Sequence, residues 1–268
     1  MNIIDRLNKR IIELKAPIVV GLDPDIEKIP SFYFSDKQDT FQGVCEAILN
    51  FNKDIIDIVK NYVPAVKPQI AFYEMFGHEG IRTFEQTVIY AKSQGLIVVE
   101  DGKRNDIGNT AQAYASGHLG SVKLIHCEVR SPFDVDFLTI SPFLGPESLE
   151  PFIETAKREN KGLFILAKTS NKGSGLIQDI RNQKGRSVSE ELALFIDEKA
   201  ASYKGVGGYS PIGAVVGATY PQEAHYLRKL MPKSLFLVPG FGAQGGTAVD
   251  VVPCFNPDGL GAIINASR

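Results

Sequence analysis

The sequence predicts an α/β protein, a (β/α)8 TIM barrel behind an N-terminal helix, and two observations lead to this fold class. Eight short, β-branched apolar runs recur along the 268 residues without polar interruption. Such runs are typical of parallel strands that are buried on both faces. Segments with helical spacing separate many of these runs, and alternation of strand and helix predicts a parallel sheet. Eight such units in about 250 residues are the content of a closed barrel.

The individual elements follow from these two patterns. The predicted strands are residues 18–22, 63–66, 96–99, 135–140, 163–167, 212–216, 235–238 and 262–264. Apolar residues three or four apart predict helices at residues 1–15, 36–62, 79–93, 109–117, 146–158, 189–203 and 221–231. No linker, composition shift or internal repeat divides the chain, so residues 1–268 are predicted to form one domain. The sequence ends at Arg268, where the closing helix of a barrel would begin, which leaves open whether that helix is present.

Composition narrows the class of protein. The content of 44% hydrophobic and 22% charged residues is that of an ordinary globular protein, and the net charge of −2 gives no basic field for nucleic acid. No apolar run approaches the roughly 18 residues of a membrane span, and the amphipathic N-terminus does not resemble a signal peptide. The three cysteines are not spaced for a metal, which predicts a reduced, cytoplasmic protein without structural disulfides.

The most informative stretch follows the third predicted strand. Residues 100–106 place three carboxylates and Lys103 within seven positions, where no core could pack. Side chains alternate along an extended chain, so Asp101 and Lys103 are expected on one side of the strand. Taken alone, a charged stretch of this kind is typical of a solvated surface loop.

Polar groups also follow nearly all the other predicted strands. Examples are Asp23, Lys67, Thr169 and the residues after 264. Because the C-terminal strand ends of such barrels carry the chemistry, a site is predicted at this rim. Lys168 leaves open a Schiff-base lysine as in barrel aldolases. The passage 170–186 is the one long irregular segment, and loops of that length are usually functional or disordered.

A glycine-rich segment follows the seventh predicted strand. Gly240, Gly242 and Gly245 fit the G-x-G-x-x-G pattern of dinucleotide binding, yet only one more strand follows them, too few for a dinucleotide fold. A phosphate site formed by the loops after strands seven and eight explains the pattern better, with Arg268 placed to bind the same phosphate. A tight turn without a ligand remains the alternative.

These residues together resemble the orotidine 5′-phosphate decarboxylase family. The resemblance rests on motifs that keep the family's order from about residue 18 onward: Gly21-Leu22-Asp23-Pro24, Lys67, Asp101-x-Lys103-x-x-Asp106-Ile107-x-x-Thr110, Pro239-Gly240-x-Gly242-Ala243-Gln244-Gly245 and Arg268. The segment Val66-Lys67-Pro68-Gln69-Ile70-Ala71-Phe72-Tyr73-Glu74 and the long passage after Lys168-Thr169-Ser170-Asn171 are similar to the longer subgroup of that family.

The resemblance implies a homodimer with shared active sites that converts orotidine 5′-monophosphate to uridine 5′-monophosphate and CO2 without metal or organic cofactor. It implies that Lys103 protonates C6, that Asp101 lies near the departing carboxylate, and that Lys67 and Asp106 complete a Lys-Asp-Lys-Asp network. Asp106, Ile107 and Thr110 would reach into the partner's site. The resemblance also implies contacts to each part of the substrate. Asp23 and Lys67 would bind ribose hydroxyls, Thr169 the pyrimidine edge, and Gln244 with Arg268 the phosphate. Pro239 is a further implied substrate-binding residue, and the loop at 170–186 or 240–245 would close over the substrate.

Two other functions remain open. The first is a metal-dependent 3-keto-gulonate 6-phosphate decarboxylase with the same Asp-x-Lys-x-x-Asp array, although such an enzyme is expected to have a glutamate near the first strand. The second is a non-catalytic nucleotide-binding barrel, against which the retention of Asp101, Lys103 and Asp106 argues. The four histidines lie outside the motifs and are expected to be surface or helix residues.

Overall fold

A closed barrel of eight parallel strands forms the centre of the molecule in the computed structural model, which describes residues 1–242 and 245–267. The strands, in chain order, are β1 Ile18–Leu22, β2 Ala65–Pro68, β3 Ile97–Arg104, β4 Phe137–Ile140, β5 Gly162–Lys168, β6 Ser210–Val216, β7 Ser234–Val238 and β8 Ala262–Ala266. Each strand pairs with its neighbours in sequence, and β8 pairs with β1 through Ile18 and Ile264. The predicted barrel is confirmed.

The helices cover the outside of the barrel and one of its ends. They are α1 Ile3–Leu14, α2 Phe41–Val59, α3 Ala71–Glu74, α4 Gly77–Ser93, α5 Gly108–His118, α6 Pro146–Arg158, α7 Gly175–Gln178, α8 Val188–Ala201, α9 Pro221–Leu230 and α10 Ala248–Val251. In the described part of the chain no helix follows β8, and the hydrogen bonds between β8 and β1 close the barrel.

The N-terminal helix has a structural role. Asn2 caps α1 by accepting a hydrogen bond from the Ile4 N–H. Ile4 and Leu7 are completely buried against residues that line the barrel interior, including Phe137 and Phe164. The helix therefore closes the N-terminal end of the barrel, which leaves the C-terminal end as the open one.

The predicted boundaries of the second and third strands were wrong because both strands continue through polar residues that point into the barrel. The second strand, predicted at 63–66, is Ala65–Pro68, and the third, predicted at 96–99, continues to Arg104. Each predicted strand stopped at the first charged residue, although Lys67 and Asp101 belong to strands whose inner face becomes polar at the open end. The helix predicted at 36–62 begins only at Phe41, because Thr40 caps it.

Two further segments differ from their prediction. The passage 170–186, predicted to be irregular, contains a 3-10 turn at Lys172–Ser174 followed by α7. An unpredicted pair of two-residue antiparallel strands, Val122–Lys123 and Val129–Arg130, lies between α5 and β4. Within residues 1–242 and 245–267, no helix combines the length and the apolar character that a membrane crossing requires.

Candidate active site

The C-terminal end of the barrel opens into a cavity of about 480 Å³, to which every strand or the loop after it contributes a side chain. This volume lies within the range of about 300–1,000 Å³ found for small-molecule sites. Six of the residues predicted for the site line the cavity: Asp23, Lys67, Asp101, Lys103, Thr169 and Pro239. The structure thus brings together residues that are up to 216 positions apart in the chain.

The floor of the cavity has two chemically different halves. The strands β2, β3, β4 and β8 contribute Lys67, Asp101, Thr139 and Asn265, whereas β5, β6 and β7 contribute the apolar side chains Leu166, Val215 and Leu237. A ligand in this cavity therefore meets fixed charges on one side and a water-repelling wall on the other.

Asp101 lies at the centre of the charged half. Its Oδ2 accepts a hydrogen bond from Lys67 Nζ at 2.8 Å, and its Oδ1 accepts from Lys103 Nζ at 2.5 Å. The Thr139 hydroxyl lies 3.0 Å from the same Oδ1. The Lys67 side chain is only 5% exposed and that of Asp101 14%, but Lys103 is 47% exposed. Lys103 is therefore the member of this group that a ligand can reach most easily.

The two lysines keep the Asp101 carboxyl ionised. Burial alone would raise the pKa of Asp101, but the charges and hydrogen bonds of Lys67 and Lys103 outweigh that effect and lower the pKa to about 2. At neutral pH the cavity thus holds a carboxylate between two ammonium groups, as the alternating charges in the sequence indicate.

An irregularity in β3 presents Lys103 to the cavity. The register between β3 and β4 shifts between Glu100 and Arg104, so that β3 carries extra residues there. Lys103 takes a φ of +47°, which costs a non-glycine residue about 1–2 kcal/mol. Its backbone N–H donates to the Thr139 hydroxyl at 3.0 Å. Residues in such sparsely populated conformations cluster at functional sites.

Two buried acceptors face the cavity from β1 and β8. The Oδ1 atoms of Asp23 and Asn265 are buried and accept no hydrogen bond from the described residues. The Asn265 amide donates instead to Ser267 Oγ at 2.9 Å. Because an unsatisfied buried acceptor is costly, these atoms are suited to O–H or N–H donors of a ligand.

The loop after β5 holds Thr169 in place. The Thr169 N–H donates to Gln178 Oε1 at 3.0 Å, and Gln178 Nε2 donates to Thr169 Oγ1 at 2.9 Å. Lys168 pairs with Asp179 at 2.5 Å beneath the same loop and does not line the cavity. This placement removes the geometric basis for the Schiff-base alternative at Lys168.

The segment after β7 forms the rim opposite to Lys103. Gly240 and Phe241 line the cavity. Gly240, Gly242 and Gly245 all have positive φ values, between 73° and 100°, which only glycine adopts readily. Gly245 donates a backbone hydrogen bond to Gly242. The predicted phosphate ligands Gln244 and Arg268 lie outside the described residues.

The segment that leads into α5 does not belong to the cavity of its own chain. Asp106, Ile107 and Thr110 are not among the residues that line it. Asp106 Oδ1 accepts from the Ile107 N–H at 2.8 Å, and both Ile107 and Thr110 are exposed. Within one chain, these three predicted residues therefore lie outside the cavity that Asp101 and Lys103 line.

Sequence reasoning missed two polar residues of the cavity, Thr139 and Gln178, whereas Asn265 is one of the polar residues after the eighth predicted strand that were expected at this rim. Thr139 is the one hydroxyl in the apolar run 135–140, and its inward face could have been inferred from its spacing to Phe137. Gln178 gave no local signal. Among the described residues no three His, Cys, Asp or Glu side chains are grouped to hold a metal ion. His118, at the end of α5, is buried and its Nδ1 lies 2.8 Å from Glu100 Oε2.

Comparison with known proteins gives a consistent result. The family model described as "Orotidine 5'-phosphate decarboxylase / HUMPS family" matches residues 16–268. The orotidine 5′-phosphate decarboxylase of Rhodopirellula baltica is 45% identical over 269 aligned positions, which cover 100% of this chain and 87% of that protein. The enzyme of that name from Clostridium tetani is 39% identical over 265 positions, or 99% of this chain and 86% of that protein.

Solved structures agree with these sequence relatives. The structure of Leishmania donovani OMP decarboxylase superposes with a TM-score of 0.77 at 31% identity, covering 100% of this chain and 90% of that chain. Leishmania donovani UMP synthase superposes with a TM-score of 0.78 at 33% identity, covering 100% of this chain and 52% of that one. The resemblance inferred from the motifs is confirmed, and the chain belongs to the orotidine 5′-phosphate decarboxylase / HUMPS family.

Proposed function

We propose that this protein decarboxylates orotidine 5′-monophosphate to uridine 5′-monophosphate and CO2, the last step of de novo UMP biosynthesis. One observation carries the proposal: an ionised Asp101 lies between Lys67 and Lys103 in the cavity of a chain that belongs to this family. The names of the relatives supply the reaction, and the charged floor of the cavity supplies groups that can perform it.

The difficulty of the reaction lies at C6 of the pyrimidine. Loss of CO2 leaves a carbanion there, and no adjacent carbonyl group can accept its charge. An ammonium group held against C6 stabilises that charge electrostatically and then donates the proton that replaces CO2. Lys103 is suited to both tasks, because its half-exposed Nζ is in the cavity and already interacts with a carboxylate.

Asp101 and Lys67 support that step in different ways. Asp101 would face the substrate carboxylate, so that the repulsion between the two anions is relieved as CO2 leaves. Lys67 would keep Asp101 charged and would also bind a ribose hydroxyl together with Asp23. The apolar side chains Leu166 and Leu237 would exclude water from the carbanion.

We also propose that two copies of the chain share their sites, in the cytoplasm. The loops after β3, β4 and β5 expose Ile107, Phe143 and Leu176, three apolar side chains at the open end of the barrel. A second copy docked there would cover them. Asp106 of the partner subunit would then complete the Lys-Asp-Lys-Asp network, with Ile107 and Thr110 of the partner subunit beside the substrate.

The direct test follows the loss of orotidylate absorbance with purified protein, with and without EDTA. Turnover that EDTA leaves unchanged is the expected result. Turnover that stops with EDTA and returns with a divalent metal would favour the metal-dependent alternative. UMP binding without any release of CO2 would indicate the non-catalytic barrel.

Single substitutions test the assigned chemistry. Lys103→Ala is expected to abolish decarboxylation while UMP still binds, whereas Lys123→Ala, which removes an exposed lysine outside the cavity, should be as active as the parent. A Lys103→Ala protein with parental turnover would refute the mechanism.

Mixed chains test the shared site. Lys103→Ala and Asp106→Ala chains, each inactive alone, should regain part of the activity when mixed, because a hybrid dimer contains one intact site. Absence of recovery after confirmed subunit exchange would contradict the proposed role of Asp106 across the interface.

A further inference from the structure

The Thr139 hydroxyl lies at the junction of β3 and β4, directly beneath the reacting groups. Thr139 is 1% exposed and lines the cavity floor. Its neighbours Leu138 and Ile140 point to the outer, helix-covered face of the strand. A threonine at this buried position needs hydrogen-bond partners, and the structure provides two.

The two hydrogen bonds have fixed directions. The Lys103 backbone N–H can only donate, and it lies 3.0 Å from Thr139 Oγ1. The Asp101 carboxylate can only accept, and its Oδ1 lies 3.0 Å from the same hydroxyl oxygen. The hydroxyl therefore accepts from one residue and donates its single proton to the other, so both of its hydrogen-bonding functions are used.

This arrangement joins a backbone position to a carboxylate position. The register shift leaves the Lys103 N–H without a regular ladder partner on β4, and the Thr139 hydroxyl takes that role. The positive φ of Lys103 is thus held by a bond to the same atom that orients Asp101. Displacement of the hydroxyl would move the Lys103 backbone and the Asp101 carboxylate together.

We infer that Thr139 is a positioning residue for the proposed decarboxylation, an inference that rests on the function proposed above. Proton transfer from Lys103 to C6 removes one of the cations that hold Asp101 Oδ1. The Thr139 hydroxyl and Lys67 then continue to hold the carboxylate at both of its oxygens. Asp101 consequently keeps its place while Lys103 changes charge, and Lys103 can recover its proton in the same geometry.

The test compares Thr139→Val, which keeps the shape and removes the hydroxyl, with Thr139→Ser, which keeps the hydroxyl. Thr139→Val is expected to lower kcat by about 10–100-fold with less than about a threefold change in KM and in the Kd of UMP, since each factor of ten in rate corresponds to about 1.4 kcal/mol. Thr139→Ser should stay within about threefold of the parent kcat.

A matched control separates a positioning role from general packing. Thr87 is also buried, and its hydroxyl donates to the Thr83 carbonyl and accepts from Asn52, within the helical layer. Thr87→Val should leave kcat and KM unchanged even where it lowers the stability. A kcat of Thr139→Val equal to that of the parent, or equal losses in Thr139→Val and Thr139→Ser, would overturn the inference.

The inference and the proposed function fail in different ways. A parent protein that releases no CO2 from orotidylate refutes the proposed function, and a fully active Lys103→Ala variant refutes only the mechanism proposed for Lys103. An active parent with an unaffected Thr139→Val variant refutes only the role of Thr139. Thr139→Ala serves as a second variant without the hydroxyl, and if neither it nor Thr139→Val folds, the hydroxyl serves the fold and the positioning role is overturned.

Discussion

Replacement of Asp101 by Asn gives a quantitative test of the charged centre of the cavity. The pKa of the Asp101 carboxyl is lowered from 3.8 to about 2, because Lys67 and Lys103 outweigh the effect of burial, which alone would raise it. Each pKa unit of difference between the folded and unfolded chains corresponds to about 1.4 kcal/mol. The ionisation of Asp101 therefore stabilises the folded protein by roughly 2 kcal/mol at pH 7.

The sign of this contribution fixes its pH dependence. The folded pKa lies below the unfolded one, so the stabilisation is present above the unfolded value and disappears as the pH falls through about 2. Because the folded pKa is about 2 and the unfolded value is 3.8, most of this stabilisation remains at pH 4 and roughly half of it remains at pH 3. The difference in unfolding free energy between the parent and Asp101→Asn should therefore decrease by roughly 1 kcal/mol between pH 7 and pH 3.

Urea unfolding of the parent and Asp101→Asn at several pH values between 7 and 3 measures this change. The hydrogen bonds that Asp101→Asn loses add a constant amount to the difference in unfolding free energy between the parent and the variant. The change of this difference with pH is therefore the informative quantity. Asp39→Asn removes the same charge from an exposed position outside the cavity, and its pH profile gives the background to subtract. A gap between parent and Asp101→Asn that stays constant from pH 7 to pH 3 would refute the ionised, lysine-held state of Asp101.

Three further predictions concern the scaffold. Thr40→Ala removes the cap of α2 and should cost about 1 kcal/mol in urea unfolding, whereas no measurable loss would contradict the capping role. Arg228→Met leaves four buried backbone carbonyls without their guanidinium donor and should lower the free energy of unfolding by at least about 3 kcal/mol. A decrease of less than about 1 kcal/mol would contradict this role of Arg228. Ellman's reagent should label one thiol in the native protein, that of the exposed Cys127. Cys45 and Cys254 are buried, and burial raises the pKa of the Cys254 thiol to about 12. Rapid labelling of a second thiol would refute this prediction.

The barrel was predictable because its strands are buried on both faces. A run such as 162–168 is apolar at nearly every position, which few other elements of a globular protein require. Strand ends were less predictable, since the inner face of β2 and β3 becomes polar at the open end while the strand continues. Alternation of side chains predicted Asp101 and Lys103 on one side of the strand, and both line the cavity, although the register shift rather than regular alternation brings Lys103 there.

The residues that sequence reasoning missed act through distant partners. Thr139 contacts Asp101 and Lys103, which lie 38 and 36 positions earlier in the chain. An isolated threonine in an apolar run is compatible with any strand, and only the register between β3 and β4 assigns it a role. Gln178 becomes part of the cavity because the loop after β5 folds back onto Thr169, which no local pattern encodes.

Strand β3 gives a physical reason why the motif from Asp101 to Thr110 is continuous in sequence. On its inner face Asp101 is held by Lys67 and Thr139, and on its outer face Glu100 is completely buried with its Oε2 2.8 Å from His118 Nδ1 on α5. The strand is therefore held on both of its faces at the start of the register shift that presents Lys103 to the cavity. The same contact ties α5, and with it the segment proposed to enter the partner's site, to the strand that carries Lys103, the proposed proton donor. In the proposed dimer, a movement of β3 would therefore shift Lys103 in one site and, through α5, Asp106 in the other site.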